Sequence, residues 1–143
     1  PSFTFVSTAN AFALRGATIV FADVDEETLN IKPDEIEKLI SPRTKAICVV
    51  HYAGVSCDMD QIMAISSAHG IPVIEDNAHG LFAKYKGDWL GTFGSFSTLS
   101  FHETKNIISG EGGMLVINDN DFIKLSSSSL PIYSTAEYIN NDL

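Results

Sequence analysis

Three apolar runs rich in β-branched residues are separated by stretches of helical period, and this alternation constrains the fold more than any other feature of the chain. The runs are ATIVFADV at 17–24, KAICVVHY at 45–52 and IPVIED at 71–76. Each has strand length and little alternation of apolar and polar residues, as expected of a strand covered on both faces. Between the first two, Pro33, Asp34 and Glu35 put proline and acids in the first turn of a helix with an apolar stripe of Ile36, Leu39 and Ile40. Asp58 is the expected cap of a second helix running to His69, with Met59, Ile62, Met63, Ile65 and Ala68 at helical spacing. This order of strands and helices predicts an α/β fold, a mainly parallel sheet flanked by helices. Two more strands, FSTLSF at 96–101 and GMLVIN at 113–118, follow with glycine turns before and between them. Residues 7–14 read as a leading helix, with Ser7 or Thr8 as its cap and Gly16 as its stop.

Composition narrows the partners. Of 143 residues, 45% are hydrophobic and 19% charged, enough apolar chain for a packed core. The net charge of −9 argues against a nucleic acid, whose phosphates want clustered Lys and Arg, and against an anionic membrane surface. No apolar run approaches the ~18 residues of a membrane span, and no signal peptide opens the chain. Cys48 and Cys57 form neither a disulfide framework nor a zinc spacing, and Cys48 reads as a small buried hydrophobe. The expectation is a soluble, cytoplasmic protein without a metal site.

In parallel sheets, ligands bind beyond the carboxyl ends of the strands. Those ends carry HYAG, EDNAHG and FHETKN. Asp76 closes an apolar strand, where a carboxylate needs a cation or several donors. Taken singly, it is equally a helix cap or half of an ion pair. His79, three residues on, can face the same pocket or serve a structural hydrogen bond. Lys105 lies between a strand and the glycine turn SGEGG at 109–113. It is either a solvated charge or an amine held as a nucleophile. A nicotinamide-binding domain fits poorly, since GEGG precedes a strand and no glycine fingerprint follows Val24.

Five segments in order, PSFTFVSTANAF, VHYAGVSCDMD, VIEDNAHG, LGTFGSFSTLSFHETKN and SGEGG, carry a more specific signal. With them the chain resembles the DegT/StrS family of pyridoxal-phosphate (PLP) sugar aminotransferases, from Pro1 to about Phe122. SFTFVSTANAF and SFHETKN are most similar to the branch that makes dTDP-4-amino-4,6-dideoxygalactose for enterobacterial common antigen, a cell-surface polysaccharide. The resemblance implies part of the large domain of a PLP fold type I aminotransferase. It also implies a role for each candidate residue. Lys105 would bond the cofactor aldehyde and carry the proton between substrate and cofactor carbons. Asp76 would face the pyridine nitrogen, His79 the phenolic oxygen and Ser100 the phosphate, while Phe5 would stack on the ring. His102 is left between contact and packing. The implied substrates are a dTDP-linked 4-keto-6-deoxy sugar and glutamate as amino donor, on a homodimer.

The sequence also departs from the family. The glycine–hydroxyl phosphate turn that precedes PSFTF in the family is not in it, nor is the small C-terminal domain, nor the asparagine that reaches the phosphate from a second subunit. Past Phe122 the family continues into a basic helix, which IKLSSSSLPIYSTAEYINNDL at 123–143 does not resemble. The expectation is therefore a partial PLP-binding large domain over 1–122 and a divergent tail over 123–143 that reads as a truncated or shifted frame. Two alternatives follow: a catalytically inactive fragment or interaction remnant, and a PLP-dependent sugar dehydratase. The dehydratases carry histidine where Lys105 stands, which favours the aminotransferase.

Overall fold

The computed structural model describes residues 1–123, so the expected divergent tail beyond Ile123 lies outside the described residues. Three helices, α1 (Val6–Ala13), α2 (Pro33–Leu39) and α3 (Met59–His69), accompany six strands. These are β1 (Ile47–Val50), β2 (Val73–Asp76), β3 (Lys84–Tyr85), β4 (Asp88–Trp89), β5 (Phe96–Ser100) and β6 (Gly113–Ile117). The main sheet has the order β1-β2-β5-β6, and β3 and β4 form a separate antiparallel hairpin. β1–β2 and β2–β5 pair in parallel, while β6 runs antiparallel to β5. The α/β, mainly parallel expectation holds. No helix among the described residues is long and apolar enough to cross a membrane.

Register decides which side chains share a face. Val50, Asp76 and Thr98 are neighbours across β1, β2 and β5, and Val49, Glu75 and Ser97 form the next row. Side chains alternate along a strand, so the two rows point to opposite faces. The Val49–Glu75–Ser97 row is fully buried and continuous with the core of Ile36, Met59, Ile62 and Val73 beneath α2 and α3. The Asp76 row is only half covered, which leaves its polar groups within reach of a ligand.

The local signals of α3 act as read. The Asp58 carboxylate accepts the Gln61 N–H at 3.2 Å, and Gly70 ends the helix at φ +63°. Ala68, expected on the apolar stripe, is exposed. Ser66 is buried instead, because its hydroxyl donates to the Ile71 carbonyl at 2.6 Å and satisfies the turn into β2. Strand β2 starts at Val73, two residues later than the apolar run, since Pro72 has no N–H to give to a ladder.

Two expectations are corrected. Residues 17–24 form no strand: Val20 and Phe21 are exposed, only Ala22 is buried, and the one ladder contact is a bridge from Val24 to Ile31. The composition is that of a strand, but among the described residues no strand pairs with it. A cavity of about 490 Å3 separates this segment from the outer edge of β1, lined by Ile19 and Phe21 on one side and Ile47 and Cys48 on the other. In α1, neither Ser7 nor Thr8 is the cap. Phe5, which has no side-chain acceptor, takes that position, and the Thr8 hydroxyl donates to Asp76 instead.

Candidate active site

The carboxyl ends of β1, β2 and β5 bring the expected site residues to one region. Asp76 is half-buried, and each of its oxygens has one donor. The Thr8 hydroxyl donates to Oδ2 at 2.5 Å and the Ala78 N–H to Oδ1 at 3.2 Å. Ser100 lies on the same sheet face, two residues beyond Thr98, the register partner of Asp76. Its oxygen accepts the His102 N–H at 3.5 Å, so its own proton remains to give.

His79 sits on the turn after β2. Its Nδ1 accepts the Ala53 N–H at 3.2 Å. In the neutral ring the proton is then on Nε2, a donor available to a ligand oxygen. Burial and the Lys105 cation hold His79 below its ordinary value, with the Asp76 charge opposing. The charges of Lys105 and Asp76 are thus both felt at His79. Lys105 is half-buried, and its amine has no hydrogen bond or ion pair among the described residues. Asn106 fixes the segment by donating to the carbonyls of His79 and Leu81 at 3.3 and 3.2 Å.

Phe5 is 75% exposed, so it is no part of the core. It precedes the helix whose Thr8 touches Asp76, and its open face is free to stack. His102 turns to its own loop: Nδ1 is 3.3 Å from the Thr104 hydroxyl and Nε2 is 3.7 Å from Glu111. It braces the lysine loop against the glycine turn.

Sequence reasoning missed the support behind Asp76. Glu75 points the other way and is fully buried, with Oε2 2.9 Å from His51 Nε2. It also accepts the N–H groups of Gly91, Phe93 and Gly94 at 2.7–2.8 Å. His51 Nδ1 takes the Cys57 N–H at 3.2 Å, which leaves the ring proton on Nε2 for Glu75. Burial works against the ionised carboxyl, yet the bonds from His51, Gly94 and Gly91 outweigh it and hold Glu75 below the usual range. A carboxylate at a core-facing position of VIED has to find such partners. That was the available signal.

This network sets a stability prediction. Glu75→Gln places an amide N–H2 against backbone donors and is expected to cost about 3–5 kcal/mol, as for a broken buried pair. With the folded value depressed, the Glu75 contribution is complete above the ordinary value of 4.5 and is lost as pH falls through the folded value. Urea melts across pH 3–7 should show a shallower acid limb in the Gln variant. An unchanged midpoint and limb would contradict this role.

The two cysteines are free, and Cys57 is buried. Cys48, expected to be buried, is half-buried beside the cavity, because no strand covers that edge among the described residues. Desolvation pushes both thiols up to about 12. They are packing groups. No cluster of metal-ligating side chains occurs among the described residues.

Comparison with known proteins gives this geometry a context. Residues 1–128 match the model of the DegT/DnrJ/EryC1/StrS aminotransferase family. The spore coat polysaccharide biosynthesis protein SpsC of Bacillus subtilis (strain 168) is 50% identical over 118 residues, covering 82% of this chain and 30% of SpsC. The crystal structure of DesI, solved in the presence of its TDP-sugar product, superposes with a TM-score of 0.80 at 39% identity over 85% of this chain and 31% of DesI. A putative sugar aminotransferase from Streptococcus pneumoniae, solved in its PLP form, gives a TM-score of 0.73 at 30% identity over 79% of this chain and 33% of that one. The chain thus spans about a third of the length of these relatives. It belongs to the DegT/DnrJ/EryC1/StrS family of PLP-dependent aminotransferases.

Proposed function

We propose that the chain is the cofactor-holding part of a sugar aminotransferase that moves an amino group from glutamate to a dTDP-linked 4-keto-6-deoxy sugar, for cell-surface polysaccharide synthesis. The observation that carries the reading is the donor set. A free amine (Lys105), a carboxylate held by two donors (Asp76), an imidazole with an open Nε2–H (His79) and a hydroxyl (Ser100) occupy the same strand ends. PLP presents an aldehyde, a ring nitrogen, a phenolic oxygen and a phosphate, one for each of these groups. The residues fit the cofactor.

PLP supplies an electron sink for the bond electrons released at the reacting carbon. The rest belongs to the protein. Asp76 places negative charge where a proton on the ring nitrogen is stabilised. His79 donates through Nε2, Ser100 helps to bind the phosphate, and Phe5 offers a flat apolar face. The Lys105 amine would hold the cofactor and would be the group that carries a proton at the reacting carbon.

The finer reading is the branch that makes dTDP-4-amino-4,6-dideoxygalactose for enterobacterial common antigen, within lipopolysaccharide and related surface-glycan synthesis. SFTFVSTANAF and SFHETKN support it. The TDP-sugar of DesI and the polysaccharide role in the name of SpsC support the substrate class. The large domain would extend over 1–122, with the small domain supplied by the remainder of a complete, cytoplasmic homodimer.

The test incubates the complete protein with PLP, glutamate and dTDP-4-keto-6-deoxyglucose and follows the sugar by mass spectrometry. An amino sugar is expected. A sugar that has lost a hydroxyl without gaining nitrogen would favour the dehydratase instead. Residues 1–143 alone are expected to bind PLP weakly and transfer nothing. Val20 and Phe21 stand 63% and 52% exposed beside an apolar cavity, which favours aggregation over a firm site. Tight stoichiometric binding with turnover by this chain would contradict that.

A further inference from the structure

The helix carrying Thr8 is bound to the sheet in an unusual way. No residue of α1 is buried. Among the described residues, the only side-chain hydrogen bond between α1 and the sheet runs from Thr8 to Asp76, across 68 positions of sequence. The Thr8 oxygen also lies 3.0 Å from the Thr4 hydroxyl. Because the Thr8 proton is committed to a carboxylate, which only accepts, Thr4 must be the donor within that pair. The protons therefore point one way, from Thr4 to Thr8 to Asp76. Such a chain strengthens each of its bonds, and the last is charge-assisted.

We propose that Thr8, backed by Thr4, is a positioning residue for Asp76 that fixes the plane in which the carboxylate meets the cofactor's ring nitrogen. The proposal rests on the functional reading above. A carboxyl group at a strand end turns freely about its last bond unless both oxygens are held. Ala78 holds Oδ1 from the chain's own turn, and Thr8 holds Oδ2 from another element. Each oxygen keeps further lone-pair capacity for a ring N–H. Thr8 touches Asp76 and not the reacting atoms, so its effect passes through that side chain. A half-buried threonine on a helix without buried residues is not a core position, and replacing its hydroxyl by a methyl group opens no cavity.

The test compares Thr8→Val and Thr8→Ser with the parent in the complete protein. PLP affinity is read by titration, apo stability by thermal melting, and the Asp76 conformation from apo crystal structures. Thr8→Val is expected to bind PLP about tenfold more weakly, the worth of one charge-assisted bond. Its Asp76 carboxylate should be turned or split between conformers, with apo melting within about 2 °C of the parent. Thr8→Ser, which keeps the donor, should restore both affinity and conformation. An unchanged carboxylate and affinity in the Val variant would overturn the proposal, as would a Ser variant as impaired as Val. If the parent takes up no PLP while Thr8→Val still releases the carboxylate, the cofactor reading falls and the positioning role stands.

Discussion

Lys105→Ala in the complete protein is expected to abolish the proposed amino transfer and to remove the visible band of the lysine-bound cofactor. Only a primary amine can bond the cofactor aldehyde, and the same nitrogen then carries the proton. Loss of a positioned proton carrier by itself costs about 10²–10⁴-fold, and loss of the bond to the cofactor adds to that. Two other lysines of the chain are engaged away from this site. Lys84 lies over the Trp89 ring at 3.9 Å, and Lys86 is paired with Asp60. Amino-sugar formation and an absorption spectrum check the result together. A variant that keeps its band and turns over normally would exclude Lys105.

Asp76→Asn is expected to keep the cofactor bound and to slow the proposed proton-transfer step by roughly 10²–10³-fold, the range for removing one preorganised electrostatic group. The amide preserves size and still accepts from Thr8 or Ala78. It carries no negative charge, so it favours a protonated ring nitrogen far less. Single-turnover kinetics separate this effect from substrate binding. Parent-like turnover in the amide variant would reduce Asp76 to a structural acceptor.

Features set by local sequence were legible, and features set by tertiary pairing were not. Helix α3 was readable because its signals are local: Asp58 before it, Gly70 after it and apolar residues at helical spacing. Residues 17–24 misled because strand composition records side-chain type, whereas a strand also needs a partner at about 4.8 Å. That partner is a tertiary fact. Asp76, His79, Ser100 and Lys105 were located by motif, and β2–β5 pairing explains why Asp76 and Ser100 share a face. Thr8 was misread because a threonine near a helix start suggests a cap, and its actual acceptor is 68 positions away. The His51–Glu75 pair could have been expected from an acid inside an apolar strand, but its partners Gly91, Phe93 and Gly94 come from a distant loop.

In the proposed site Lys105 is the amine that bonds PLP and Asp76 is the carboxylate at its ring nitrogen. Borohydride reduction of the PLP-loaded complete protein, followed by peptide mass mapping, fixes the bonded nitrogen permanently and identifies it. One pyridoxyl group per chain is expected, on Lys105 in the HETKN peptide. A stoichiometric adduct on any other lysine, or loaded protein that yields none, would contradict it.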